Sequence, residues 1–193
     1  MLIIGIVIFL AIFFFVVKIF FVNSPDKKIS MIKVFQNVVA PTQESIGRPI
    51  RLRIPIINVD ANVQYVGLTK EGAMDVPEGW EDVAWFDVGS HPGELGSAVI
   101  AGHYGTLQSG ETPVFNDLNK LQKGDKLSVE DENGLIVSFV VREIRSFDQE
   151  ADASTVFNSN DGKAHLNLIT CEGVWNEGSQ SYPSRLVVFT DKE

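Results

Sequence analysis

The chain of 193 residues sets 16 Lys and Arg against 25 Asp and Glu, a formal net charge of −9, which argues against nucleic acid as a partner because phosphate-binding surfaces need a basic excess. Its 45% hydrophobic residues suffice for one folded domain of ordinary size and leave no room for extended disorder. One cysteine excludes an intramolecular disulfide and a zinc site built from several thiolates.

Residues 1–22 are one apolar run whose only charged side chain is Lys18. As a helix the run spans roughly 33 Å, enough to cross a bilayer core of about 30 Å. No Lys or Arg precedes it and Val22-Asn23-Ser24 offers no small-x-small cleavage site, so it reads as an uncleaved single-pass anchor. Lys18, near one end, can run its stem along lipid and reach the headgroups. Lys27, Lys28 and Lys33 follow and by the positive-inside tendency favour a cytoplasmic domain, although a short N-terminal tail with only its own amine is a weak cue for the opposite side. Residues 23–50 form a polar linker broken by Pro25, Pro41 and Pro49, in which Met31, Val34, Phe35 and Val38 recur at helical spacing. That spacing predicts a short amphipathic helix, packed on the domain or lying at the membrane surface.

From residue 51 to 193 the pattern changes to short β-like runs separated by Gly, Pro, Asn and Asp, which predicts a mostly β barrel or sandwich. The candidate strands are residues 52–57, 62–66, 97–101, 126–130, 135–144, 164–170 and 186–190. Asn133-Gly134 marks a hairpin turn, because both residues tolerate positive φ. One helix is predicted over residues 112–124: Thr112 can cap it, Pro113 suits its first turn, Val114, Phe115, Leu118 and Leu121 share a face, and Gly124 ends it.

A lone cysteine is by default a buried apolar residue. Cys171, however, ends the strand-like run 165–170 and is followed at once by Glu172-Gly173, a strand end where a nucleophile is both held and exposed. A cysteine nucleophile needs a partner to take its proton, and histidine is the usual one. His165 lies six residues back on the same strand, roughly 20 Å away, and cannot serve. His91 sits in the turn-like Ser90-His91-Pro92-Gly93. His103 follows the apolar run 98–101 between Gly102 and Gly105, a setting that matches that of Cys171. Arg185 opens the run 186–189 fourteen residues after Cys171, so the chain can return through Trp175 and Tyr182 to bring a guanidinium beside the nucleophile, where it can steady a developing oxyanion.

At these residues the chain resembles the sortases, membrane-anchored enzymes that join surface proteins to the cell wall or to one another. Val99-Ile100-Ala101-Gly102-His103 resembles the family's catalytic-histidine segment. Asn167-Leu168-Ile169-Thr170-Cys171 resembles its Thr-Leu-x-Thr-Cys motif, with Asn in place of the first Thr, and Ser184-Arg185-Leu186 sits where the catalytic-arginine strand belongs. Further matches in order are Leu52-Arg53-Ile54-Pro55-Ile56, Ala84-Trp85-Phe86, Pro92-Gly93-Glu94 and Leu121-Gln122-Lys123-Gly124-Asp125.

The resemblance implies an eight-stranded β-barrel with short helices behind a single transmembrane helix, held outside the cell. It implies a transpeptidase that cleaves a C-terminal sorting motif of surface proteins, forms a thioester on Cys171, and passes the acyl group to an amine of a cell-wall precursor or another protein. His103 would act as acid and base and Arg185 would hold substrate and oxyanion, with no ATP and no cofactor. No Asp-Pro-aromatic lid motif precedes the barrel, which leans toward anchoring single substrates rather than polymerising pilins. Asp75, Glu78, Glu81 and Asp82 read as surface charge, and no metal is assigned. Two alternatives stay open: a hydrolytic cysteine protease of the same fold, and a non-catalytic, membrane-anchored β-domain that binds envelope components.

Overall fold

The computed structural model describes residues 45–105 and 110–193. The predicted anchor over residues 1–22 and most of the linker, with its amphipathic helix, lie outside the described residues; among the described residues no helix is long and apolar enough to cross a membrane.

Eight strands close into a barrel: β1 (Pro49–Ile54), β2 (Val59–Val66), β3 (Val83–Phe86), β4 (Gly96–Gly102), β5 (Lys126–Asp131), β6 (Ile136–Asp148), β7 (Ala164–Glu172) and β8 (Ser184–Lys192). Their order around the barrel is β1-β2-β3-β4-β7-β8-β6-β5, back to β1. Closure removes the open edges that would invite pairing with other chains. The pairs β2–β3 and β4–β7 are parallel and the other six antiparallel.

Alternation along the strands builds two apolar layers. Leu52 and Ile54, Leu127 and Val129, Val137, Phe139 and Val141, Leu166 and Leu168, and Leu186 and Val188 fill the barrel around Trp85 and Phe115. Each such side chain contributes about 1.5–3 kcal/mol on burial. Trp85 is 1% exposed and its indole N–H donates to the Ser90 carbonyl at 3.1 Å, so its polar atom is not orphaned. On the outer face Val99, Val187 and Phe189 form a second, smaller core with Val156. Val156 belongs to α1 (Ser154–Phe157), a single turn in the connection from β6 to β7.

Seven of the eight strands correspond to runs visible in the sequence. The eighth, β3, is only four residues, Val-Ala-Trp-Phe, with burial on both faces, and shows no period of two. The run at 52–57 divides: β1 stops at Ile54, Pro55–Ile57 form a 3-10 turn, and Asn58 adopts the left-handed conformation with φ 56°. Pro55 cannot donate to the ladder, and Asn is one of the few residues that enters that conformation readily. At the 133–134 turn only Gly134 takes a positive φ, of 82°. The Asp131 carboxylate closes this loop by accepting from the N–H groups of Asn133 and Leu135 at 2.9 and 2.8 Å.

The helix predicted over 112–124 does not form. Within the segment the backbone bonds run from residue i to i−3, from Asn116 to Pro113, Leu118 to Phe115, Lys120 to Asp117 and Leu121 to Leu118, with a 3-10 turn at Leu118–Lys120. Asn116, Asp117 and Asn119 are poor helix formers. The N–H groups of Val114 and Phe115 are held instead by the carbonyls of Trp80 and His103. Of the predicted shared face, Phe115, Leu118 and Leu121 are buried and Val114 is partly buried against the same core.

Candidate active site

Because β4 and β7 run parallel, both end at the same end of the barrel. Their register pairs Ala101 with Ile169, and two residues further on each chain stand His103 and Cys171. The Thr170 hydroxyl, 4% exposed, donates to the Gly102 carbonyl at 2.7 Å, tying the residue before Cys171 to the residue before His103. Cys171 is also in direct register with Arg185 across the antiparallel β7–β8 pair. The side chains of directly opposed residues lie on the same face of a sheet.

The glycines around His103 are required by their neighbours. A Cβ on Gly102 would lie 2.5 Å from the Phe115 ring. Gly105 has φ 114°, and a Cβ there would meet the Tyr182 hydroxyl. The loop carrying His103 therefore lies flat between the core and the β7–β8 connection.

His103, Cys171 and Arg185 line one pocket of about 130 Å³. Its remaining lining is largely apolar: Met74, Val76 and Pro77 from the β2–β3 connection, Phe157 from α1, and Ile169 from β7. The ring of His103 faces that of Trp80 at 4.6 Å between centroids, and its Nε2 lies 2.9 Å from the Pro77 carbonyl. A carbonyl only accepts, so Nε2 carries the proton and Nδ1 is the nitrogen left to act as a base. Among the described residues no hydrogen bond joins His103 to Cys171.

Burial pushes the Cys171 thiol above its ordinary range, and the positive charge of Arg185 draws it partly back. Arg185 itself is held by its Nη1, which donates to the Tyr182 and Ser184 carbonyls at 3.2 and 3.0 Å. These bonds use one nitrogen of the five-donor fork. Tyr182 stands between Tyr104 and Trp175, with ring centroids 5.5 and 5.2 Å away. Burial, and then the neighbouring Cys171, raise its phenol above the usual range.

The other two histidines lie elsewhere. His91 packs against Trp85 and its Nδ1 lies 2.9 Å from the Gly47 carbonyl. His165 sits at the start of β7, enclosed by Asp161 and Asp191. Among the described residues no group of three or more His, Cys, Asp or Glu is arranged to hold a metal ion. Asp82 accepts hydrogen bonds from Asn62 and Gln64.

Sequence reasoning passed over Trp80, Pro77, Met74 and Phe157. They reach the site from connections between strands and carry no local motif, so only their closeness in space identifies them.

The sortase-domain family model matches residues 52–193, and no curated protein matches the chain. Among solved structures, sortase A from Corynebacterium diphtheriae, in a lid-mutant form, is similar with a TM-score of 0.58 and 19% identity, over 79% of this chain and 74% of that one. A sortase D5 transpeptidase from Clostridium perfringens gives 0.55 and 22%, over 76% and 79%. Sortase C-1 from Actinomyces oris gives 0.54 and 23%, over 74% and 72%. At these identities the solved structures speak to the fold, which they share with this barrel, while the family model covers its sequence from Leu52 to the last residue: the chain belongs to the sortase family.

Proposed function

We propose that the protein is a cysteine transpeptidase acting on a C-terminal sorting motif of surface proteins, with Cys171 as nucleophile, His103 as acid and base, and Arg185 as the cation beside the reacting carbonyl. The observation that carries this reading is the convergence of those three side chains on one pocket, reached from three strands in matching register.

The Cys171 thiol gives its proton to Nδ1 of His103, and the resulting thiolate attacks a backbone carbonyl carbon. A C–S bond forms, and the C–N bond breaks as His103 gives a proton to the departing amine, leaving a thioester. An incoming amine then attacks the same carbon, its proton passes to His103, and the C–S bond breaks to return the thiolate. One amide is exchanged for another, so neither ATP nor a cofactor is required. Arg185, with donors left over from its two backbone contacts, stabilises the oxyanion that develops in both steps.

The same reading places the domain outside the cell on the membrane anchor of residues 1–22, with a cell-wall precursor peptide or a second protein supplying the amine. The full chain in detergent, incubated with a library of sorting-motif-like peptides, is expected to show a thioester adduct by intact mass. Cys171→Ala should lack it, and an added amine should convert it to a ligated peptide. An adduct resolved only by water would favour the hydrolytic alternative. No adduct with any peptide, together with alkylation of Cys171 only after unfolding, would replace the enzyme with the envelope-binding domain.

A further inference from the structure

The motif that ends in Cys171 carries one departure, Asn167 in place of the first Thr. Asn167, Ile169 and Cys171 alternate onto the outer face of β7. Cys171 is half-buried at the pocket, Ile169 lies in the pocket floor, and Asn167 is only 1% exposed because α1 covers it. Its Nδ2 donates to the Val156 carbonyl at 2.6 Å, while its Oδ1 has no partner among the described residues. A buried acceptor without a partner is uncommon in folded proteins and calls for an explanation.

Helix α1 needs such a tether. It is four residues long, far short of what holds a helix together by itself, and the Val156 carbonyl belongs to its last turn, where no intrahelical donor is available. Val156 anchors α1 in the outer core with Val99, Val187 and Phe189. The next residue, Phe157, lines the pocket and packs edge-on against Phe86, with centroids 5.6 Å apart. Asn167 therefore holds, through one hydrogen bond, the turn that carries one wall of the pocket.

We infer that Asn167 is a positioning residue that sets the distance between the Phe157 wall and the Ile169 floor, and so selects the size of the sorting-motif side chain admitted there. The amide of Asn reaches one bond, about 1.3 Å, further from the backbone than a Thr hydroxyl. With Asn the turn stands further off the strand, and the gap between Phe157 and Ile169 is correspondingly deeper. The unpaired Oδ1 is the cost of that longer reach, since a Thr hydroxyl in the same place would donate without leaving a second polar atom buried.

The inference rests on the transpeptidase reading for its substrate, but the tether is testable without it. In the full chain in detergent, hydrogen exchange of residues 154–158 should quicken in Asn167→Ala, which removes the bond, and stay near the parent's in Asn167→Thr, whose hydroxyl restores it, while that of β7 stays as in the parent. Unchanged exchange at 154–158 in Asn167→Ala overturns the inference, whether or not any peptide reacts. With peptides that form the Cys171 adduct and differ in one side chain, Asn167→Thr should shift preference toward smaller side chains at one position by about tenfold, the scale of a methylene or two in an apolar pocket. Its alkylation by iodoacetamide should be unchanged, because the thiol is not altered. Phe157→Ala should shift preference toward bulkier side chains at the same position, and keeps the test open if Asn167→Thr does not fold. Unaltered size preference in these variants, or an equal loss for every peptide and for iodoacetamide, would overturn the selecting role. Absence of any adduct in the parent would instead overturn the transpeptidase reading and leave the exchange experiment to decide the tether.

Discussion

The two ends of the β7–β8 pair hold the same kinds of polar residue in opposite states. At the start of β7, His165 is 4% exposed and both ring nitrogens face carboxylate oxygens, Asp191 at 2.8 Å and Asp161 at 3.0 Å. Arg142 adds a further ion pair to Asp191 at 3.0 Å. At the other end, among the described residues, Cys171 has no carboxylate or histidine hydrogen-bonded to it and a guanidinium in register across the ladder. In the first arrangement both imidazole nitrogens are taken up within the fold, and neither is left for a substrate. The second leaves a thiol, an imidazole nitrogen and part of an arginine fork lining an apolar pocket, and the proposed reactivity rests on groups that folding has placed but not satisfied.

Substitutions should separate the two ends sharply. Cys171→Ala should abolish the peptide adduct outright, whereas Asp161→Asn at the satisfied end should leave it intact; an adduct in Cys171→Ala would remove the nucleophile from the proposal. His103→Ala should slow adduct formation by about a thousandfold, the usual range for loss of a positioned acid and base. A near-normal rate would mean that another group moves the proton.

Arg185→Ala should lower the rate by on the order of a hundredfold and also shift the thiol. Burial already raises Cys171 and Arg185 opposes that rise, so removal of the guanidinium moves the pH midpoint of iodoacetamide alkylation upward. A midpoint that stayed put would show that the charge does not act on the sulfur.

The smallest effect belongs to the satisfied end. The hydrogen bond from His165, then that from the Lys163 N–H, holds the Asp161 carboxyl at about 2, below its usual 3.8. A depressed carboxylate contributes stability that is present above the unfolded value and is lost as pH falls toward the folded one. Thermal unfolding of the parent should therefore lose a modest increment between about pH 4 and 2, and Asp161→Asn should flatten that part of the profile. An identical acid limb in both proteins would show the contact to be energetically idle, as many exposed ion pairs are.

Local signals carried much of this protein. Runs of β-branched and aromatic residues between turn formers revealed seven strands, and the Asn133-Gly134 turn marked one pairing. The strand ends that bear Cys171, His103 and Arg185 were legible because each borders an apolar run, where burial stops and a loop begins. The failures share a cause. The residues at 112–124 carry a helical apolar period, but their backbone N–H groups at Val114 and Phe115 are taken by Trp80 and His103, partners that adjacency in sequence does not reveal. Strand β3 is too short to show a period, and it exists as a strand because β2 and β4 flank it.

What the sequence determined by itself is thus the residue chemistry and its local setting: an apolar segment at the start, a β-rich domain, one thiol, and the strand ends that bear His103 and Arg185. Only the tertiary structure decided which of three histidines shares a pocket with Cys171, that β4 and β7 run parallel and so end together, and that Phe157 and Met74 arrive from distant connections to wall that pocket. The physical reason is that propensity and period act over a few neighbouring residues, whereas register, closure of the barrel and the fate of each hydrogen-bonding group depend on contacts between segments far apart in the chain.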